Sequence, residues 1–198
     1  VPFTDSLRSM ARFRVFGWLL CLAALAVGTR NFEQGGLSVD GPLYALMART
    51  VARTGDWFYL QGTVPHFIPY SDHPHLGIWL LALTFKILPA ADWSARIPGM
   101  LFYLGFMGLL YRFVKNISGE QTAFGTVVLL WTLDRFSSYC SNAYLDPGAL
   151  FFGSSAVFLL YESFLKRKPF LSFLAGVSLA ACTMTKGLTV LGFVPALF

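Results

Sequence analysis

Apolar residues in this chain come in runs of helical length, separated by short polar breaks. The runs cover about 13–28, 96–114, 122–133, 147–164 and 170–184, and their middles carry almost no charge. A bilayer's hydrocarbon core takes about 17–25 helical residues to cross, so the pattern predicts helices in a membrane. The run at 122–133 is short and is expected to extend to about 136. Residues 40–54 follow another rhythm. Leu43, Leu46, Met47, Thr50 and Val51 fall on one helical face, and Arg49 and Arg53 lie one turn apart on another. Asp40 is placed as an N-cap with Pro42 in the first turn, and Gly55-Asp56 ends the helix. This amphipathic element is expected to lie on the membrane surface. Residues 74–89 are apolar nearly all round, but short and interrupted by Lys86. That length suits a second interfacial or re-entrant helix as well as a span.

Charge decides between them. Arg112 and Lys115 flank one link, and Lys166-Arg167-Lys168 forms another. Basic links mark the cytoplasmic side. Both fall there only if 74–89 does not cross. The predicted topology then puts 30–95, 136–146 and about 186 outside, with 112–121 and 165–169 in the cytoplasm. Arg8, Arg12 and Arg14 precede the first run with no cleavage site after it, so that run reads as a retained span. Residues 188–198 are apolar and end without a polar flank, as expected for the N-terminal part of a longer protein. The fold class is an all-α polytopic membrane protein. One transmembrane domain covers 1–198, and an external juxtamembrane loop covers 30–95.

Composition agrees with the bilayer as solvent. Only 13% of the 198 residues are charged, about half the share of a soluble domain. The net charge of +5 is accounted for by membrane orientation and gives no case for nucleic acid. Cys21, Cys140 and Cys182 offer neither a metal spacing nor a disulfide framework. Asn116-Ile117-Ser118 matches a glycosylation sequon, but on the cytoplasmic side, where it is a chance match.

Chemistry concentrates between Asp40 and His75, which hold all three histidines, His66, His73 and His75, with Asp40, Asp56 and Asp72. An Asp opens a juxtamembrane helix ending in Gly55-Asp56-Trp57. Tyr70-Ser71-Asp72-His73-Pro74-His75-Leu76 follows, then Trp93-Ser94-Ala95-Arg96-Ile97-Pro98, Tyr144-Leu145-Asp146 and Thr185-Lys186-Gly187. In order and spacing these motifs resemble the N-terminal part of membrane glycosyltransferases of GT-C type. The branch is that of bacterial relatives of protein O-mannosyltransferases and of the aminoarabinose transferases that modify lipid A. The resemblance covers roughly 13–190. It implies sugar transfer from a polyprenyl-phosphate donor to an acceptor at the outer face, in a bacterial inner membrane with the active loop on the periplasmic side. It also places the reactive acid of the first external loop at Asp40. In that family a Glu usually follows the acid; here it is Gly41. Where Lys-Pro-Pro or His-Pro-Pro is common, this chain has His73-Pro74-His75.

Each candidate carries two readings. Asp40 is the base that accepts the acceptor's proton, or a helix cap. Asp72, His73 and His75 contact a phosphate through protonated imidazole, or form an interfacial polar cluster, or take part in holding a divalent metal. Arg96 contacts the carrier phosphate or snorkels to the interface. Asp146, just before Pro147, is an acid facing the same cavity as Asp40 or an N-cap. Lys186, between apolar runs, needs an anionic partner, either a carrier phosphate or Asp146. The expected reaction is inverting glycosyl transfer. Asp40 and Asp146 are placed in the catalytic set, with His73, His75, Arg96, Lys186 and Asp72 on the substrate. The rival is a non-catalytic scaffold or transporter-type subunit, for which Gly41 speaks. The polar residues cluster at the outer ends of the spans, which favours an interfacial site over a transport path.

Overall fold

The computed structural model describes residues 36–61 and 72–197. The expected first span at 13–28, the Tyr70-Ser71 pair and His66 lie outside the described residues.

Helix α1 (Gly41–Thr54) has Pro42 in its first turn and ends where Gly55 takes φ 77°, a left-handed cap that glycine supplies without a Cβ clash. Its buried stripe is Tyr44, Met47, Ala48 and Val51, rotated from the expected face so that Leu43 and Leu46 lie at its flank. The partner explains the rotation. Helix α2 (Leu76–Ile87) buries Ile78, Leu81 and Ala82 against this stripe, and Tyr44 takes the centre of that contact. At 12 residues α2 is about 18 Å long, too short for a hydrocarbon core of about 30 Å. It pairs with α1.

Helix α3 (Asp92–Ser118) spans 27 residues and begins a turn earlier than the apolar run at 96 suggests. The Ser94 hydroxyl accepts the Ala91 N–H at 3.1 Å, and Asp92 supplies the first-turn carboxylate. Gly119, at φ 88°, reverses the chain into α4 (Glu120–Thr132), which packs back along α3. The expected third span is broken. Leu133 is extended at φ −75°, ψ 115°, and a second piece, α5 (Asp134–Cys140), carries the chain onward. The Tyr103 hydroxyl donates to the Phe136 carbonyl beside the break, giving the interrupted backbone a partner. Non-helical backbone at membrane depth is tolerated where protein covers it or it lines a cavity.

Helices α6 (Asp146–Lys166) and α7 (Pro169–Lys186) form a tight hairpin. Arg167, at φ 50°, turns it, and the Ser163 hydroxyl lies 2.8 Å from the Lys168 carbonyl and 2.7 Å from the Ser172 hydroxyl. Buried Ala149, Gly153, Ser154, Ser155 and Ala156 keep α6 slim on its packed face, the small-residue packing that lets membrane helices approach. After Lys186 two 3-10 segments follow, Gly187–Gly192 and Val194–Leu197.

Three described helices are long and apolar enough to cross a membrane: α3, α6, and α7 with its 3-10 extension. The broken pair α4–α5 joins the same two ends. It starts where Lys115 meets Glu120 at 3.2 Å and finishes next to Asn142, which touches the segment before α1. The protein is thus a polytopic, all-helical membrane protein. One end gathers the basic turns, with Arg112 and Lys166 both on Glu162 at 3.1 and 2.6 Å. The other end carries α1, α2, the start of α3 and the end of α7.

Candidate functional site

The α1 end of the bundle holds the sequence-predicted residues, and it is organised by the short segment before α1. There the Gly36 N–H donates to Asp92 Oδ2 at 2.8 Å, and Arg96 Nη2 donates to the Gly36 carbonyl at 2.7 Å. The Ser38 N–H donates to Asn142 Oδ1 at 3.0 Å, and the hydroxyls of Ser38 and Tyr144 lie 3.3 Å apart. Gly41 is buried in the same seam. A Cβ there would sit 3.2 Å from Leu37 Cβ and 3.7 Å from the Ala143 nitrogen, a tight approach that glycine allows. These anchors hold Val39 at φ 52°, a left-handed conformation costly for a β-branched residue, by roughly 1–3 kcal/mol. The strained residue immediately precedes Asp40.

Asp40 itself departs from the cap expectation. Its backbone is already helical, at φ −80° and ψ −15°, and its side chain makes no capping hydrogen bond. A cap needs an extended backbone to turn its oxygen onto the N–H of the second or third helical residue. The carboxylate is exposed and, among the described residues, has no ion-pair or hydrogen-bond partner. Asp146 also fails as a cap. Leu145 takes that position, and Asp146 is the first residue of α6, with its carboxylate turned to Lys186. The two form an ion pair, partly shielded from solvent, between the first turn of α6 and the last of α7.

The His73-Pro74-His75 turn abuts this helix end, since Pro74 lies 3.7 Å from where a Cβ of Gly187 would be. Its side chains are turned elsewhere. The His73 ring lies 5.7 Å from that of Tyr44. His75 places Nε2 3.1 Å from the Phe58 carbonyl and its ring 5.6 Å from Trp79. Asp72 is exposed. Among the described residues no three His, Cys, Asp or Glu side chains converge as a metal site would need. Arg96 departs from the snorkelling expectation: at 2% exposure it is buried, and it holds Gly36 in place.

A cleft of about 420 Å³ opens beside the Asp146–Lys186 pair. Tyr103, Phe136, Tyr139, Leu150 and Phe193 make most of its wall, and Arg135 and Asp146 are the charged residues on it. Sequence reasoning missed Asn142, Val39 and Arg135. Asn142 stands in an unremarked link, and its role depends on a segment 104 residues away. For Arg135 the signal was present, a cation close after an apolar run.

A family model described as dolichyl-phosphate-mannose-protein mannosyltransferase matches residues 72–198. No curated protein sequence matches the chain. Two solved structures share its fold. ArnT from Cupriavidus metallidurans in the apo state superposes with a TM-score of 0.76 at 18% identity, over 89% of this chain and 34% of that one. ArnT from the same organism bound to undecaprenyl phosphate gives a TM-score of 0.78 with the same identity and coverage. This chain spans about a third of the length of those structures.

Proposed function

This chain belongs to the dolichyl-phosphate-mannose-protein mannosyltransferase family, and from that premise we propose that it carries the donor end of a polyprenyl-phosphate-dependent glycosyltransferase. The sugar passes to an acceptor at the outer face of a bacterial inner membrane, on the side where α1 and α2 lie. The observation that carries the reading is the Asp146–Lys186 pair on the rim of an apolar cleft. A lipid phosphate needs a cation at the mouth of a hydrocarbon groove, and Lys186, paired with a wall residue of the cleft, supports that role. The fold neighbour bound to undecaprenyl phosphate supports the same ligand chemistry.

In this reading the acceptor hydroxyl gives its proton to Asp40 as its oxygen bonds to the anomeric carbon. The bond from that carbon to the carrier phosphate breaks, and the phosphate leaves with the electron pair. A single displacement inverts the anomeric centre. Lys186 stabilises the charge that develops on the departing phosphate, and Asp146 holds the ammonium in position until the carrier arrives. Arg96 and Asn142 act at a distance by fixing the segment that presents Asp40. The turn that carries Asp72, His73 and His75 abuts the end of α7 through Pro74, which sets it on the approach for the donor's sugar. The test is Lys186→Gln in the full-length protein. Affinity for undecaprenyl phosphate and the transfer rate are both expected to fall, the first by roughly 10-fold or more, since a hydrogen bond to a charged group contributes about 1.5–3 kcal/mol. Wild-type binding and turnover in this variant would remove the donor site from Lys186.

A further inference from the structure

The Tyr103 hydroxyl bonds to the Phe136 carbonyl, so the residue next to Phe136 packs beside α3 within the helical bundle. An ionisable residue that faces a cavity between membrane helices marks a ligand path by default. Arg135 lines the 420 Å³ cleft and is exposed. Asp146 lines the same cleft, but it is engaged by Lys186. Among the described residues Arg135 has no ion-pair or hydrogen-bond partner. The helix is also broken two residues before it, at Leu133, and the break brings the guanidinium to the cleft wall.

We infer that Arg135 is a second phosphate-binding cation of this cleft, gripping the phosphate of the polyprenyl carrier together with Lys186. The inference rests on the donor-site reading above and adds to it a residue that no motif marks. Guanidinium suits this task, because its planar fork takes two phosphate oxygens at once and it is more weakly hydrated than an ammonium. A carrier with its phosphate held at two points has its leaving oxygen oriented, as an in-line displacement needs.

Binding of undecaprenyl phosphate, undecaprenol and phosphatidylglycerol to the full-length protein in nanodiscs tests this. Arg135→Gln is expected to weaken undecaprenyl phosphate by about 10- to 100-fold, the loss of a charge-assisted hydrogen bond. Undecaprenol, with the same tail and no phosphate, is expected to bind both proteins alike. Arg135→Lys keeps the charge without the fork and is expected to lose part of the affinity, less than the Gln variant does; a loss equal to that of the Gln variant would overturn the charge role. If Arg135→Gln binds undecaprenyl phosphate like wild type while Lys186→Gln does not, the inference fails and the donor-site reading stands. If wild type binds no undecaprenyl phosphate, the reading itself fails. Equal competition by phosphatidylglycerol would make Arg135 a general lipid contact and would also overturn the proposal.

Discussion

Asp40→Asn and Asp40→Ala separate chemistry from architecture at one position. A working N-cap would make Ala cost about 1 kcal/mol of stability and Asn almost nothing. Here the Asp40 side chain makes no capping bond, its backbone is already helical, and the carboxylate is exposed. What remains is the attraction of its charge to the N-terminus of α1, at the low end of the 0.3–1 kcal/mol range for an exposed group. Both substitutions are therefore expected to cost no more than about 0.5 kcal/mol, with Asn and Ala indistinguishable. Activity is expected to behave differently. Removing a general base costs about 10²–10⁴ in rate, or roughly 2.7–5.4 kcal/mol of transition-state stabilisation. Neither variant retains a titratable group, so both are expected to fall equally. The assay is transfer from a polyprenyl-phosphate sugar by the full-length protein, beside thermal unfolding of each variant in the same lipid. Wild-type turnover in Asp40→Asn would refute the base assignment. A loss above about 1 kcal/mol in Ala but not in Asn would refute the structural argument and restore the cap.

Two further outcomes follow from the same end of the bundle. Asn142→Leu strands the Ser38 N–H that Asn142 Oδ1 accepts, so the protein is expected to lose about 1–3 kcal/mol, and the Ser38 amide is expected to exchange faster with deuterium. Turnover is expected to fall more than affinity for undecaprenyl phosphate in that variant, since the bond to the Asp40 segment is lost along with the Asn142 Nδ2 bond to the Ser138 carbonyl in α5; an equal loss of both would contradict the assignment. For topology, single cysteines at Asp56 and Arg167 are expected to react with impermeant reagent from opposite faces of the membrane, position 56 from outside. Labelling of both from one face would require α2 to cross.

The linear pattern was enough for what depends on neighbours in the chain. Apolar runs marked α3, α6 and α7 and showed α2 as a shorter helix, because the hydrocarbon core acts as a ruler on each segment by itself. Gly55 ended α1 where expected, since a left-handed cap is a property of one residue. The tertiary structure decided which polar groups meet. Lys186 had two candidate anions, and the hairpin of α6 and α7 brought Asp146, 40 residues earlier, onto it. Arg96 read as an interfacial cation, yet it is buried and holds Gly36, 60 residues away. Asp40 read as a cap by residue type, and the anchors at Ser38 and Gly41 instead set a backbone in which no cap bond forms. The break at Leu133 has no Pro or Gly to announce it. It is supported by Tyr103, a side chain from another helix, and it puts Arg135 on the cleft. Local hydrophobic period is written residue by residue. A polar pairing is a choice among many partners, and only the packed helices make that choice.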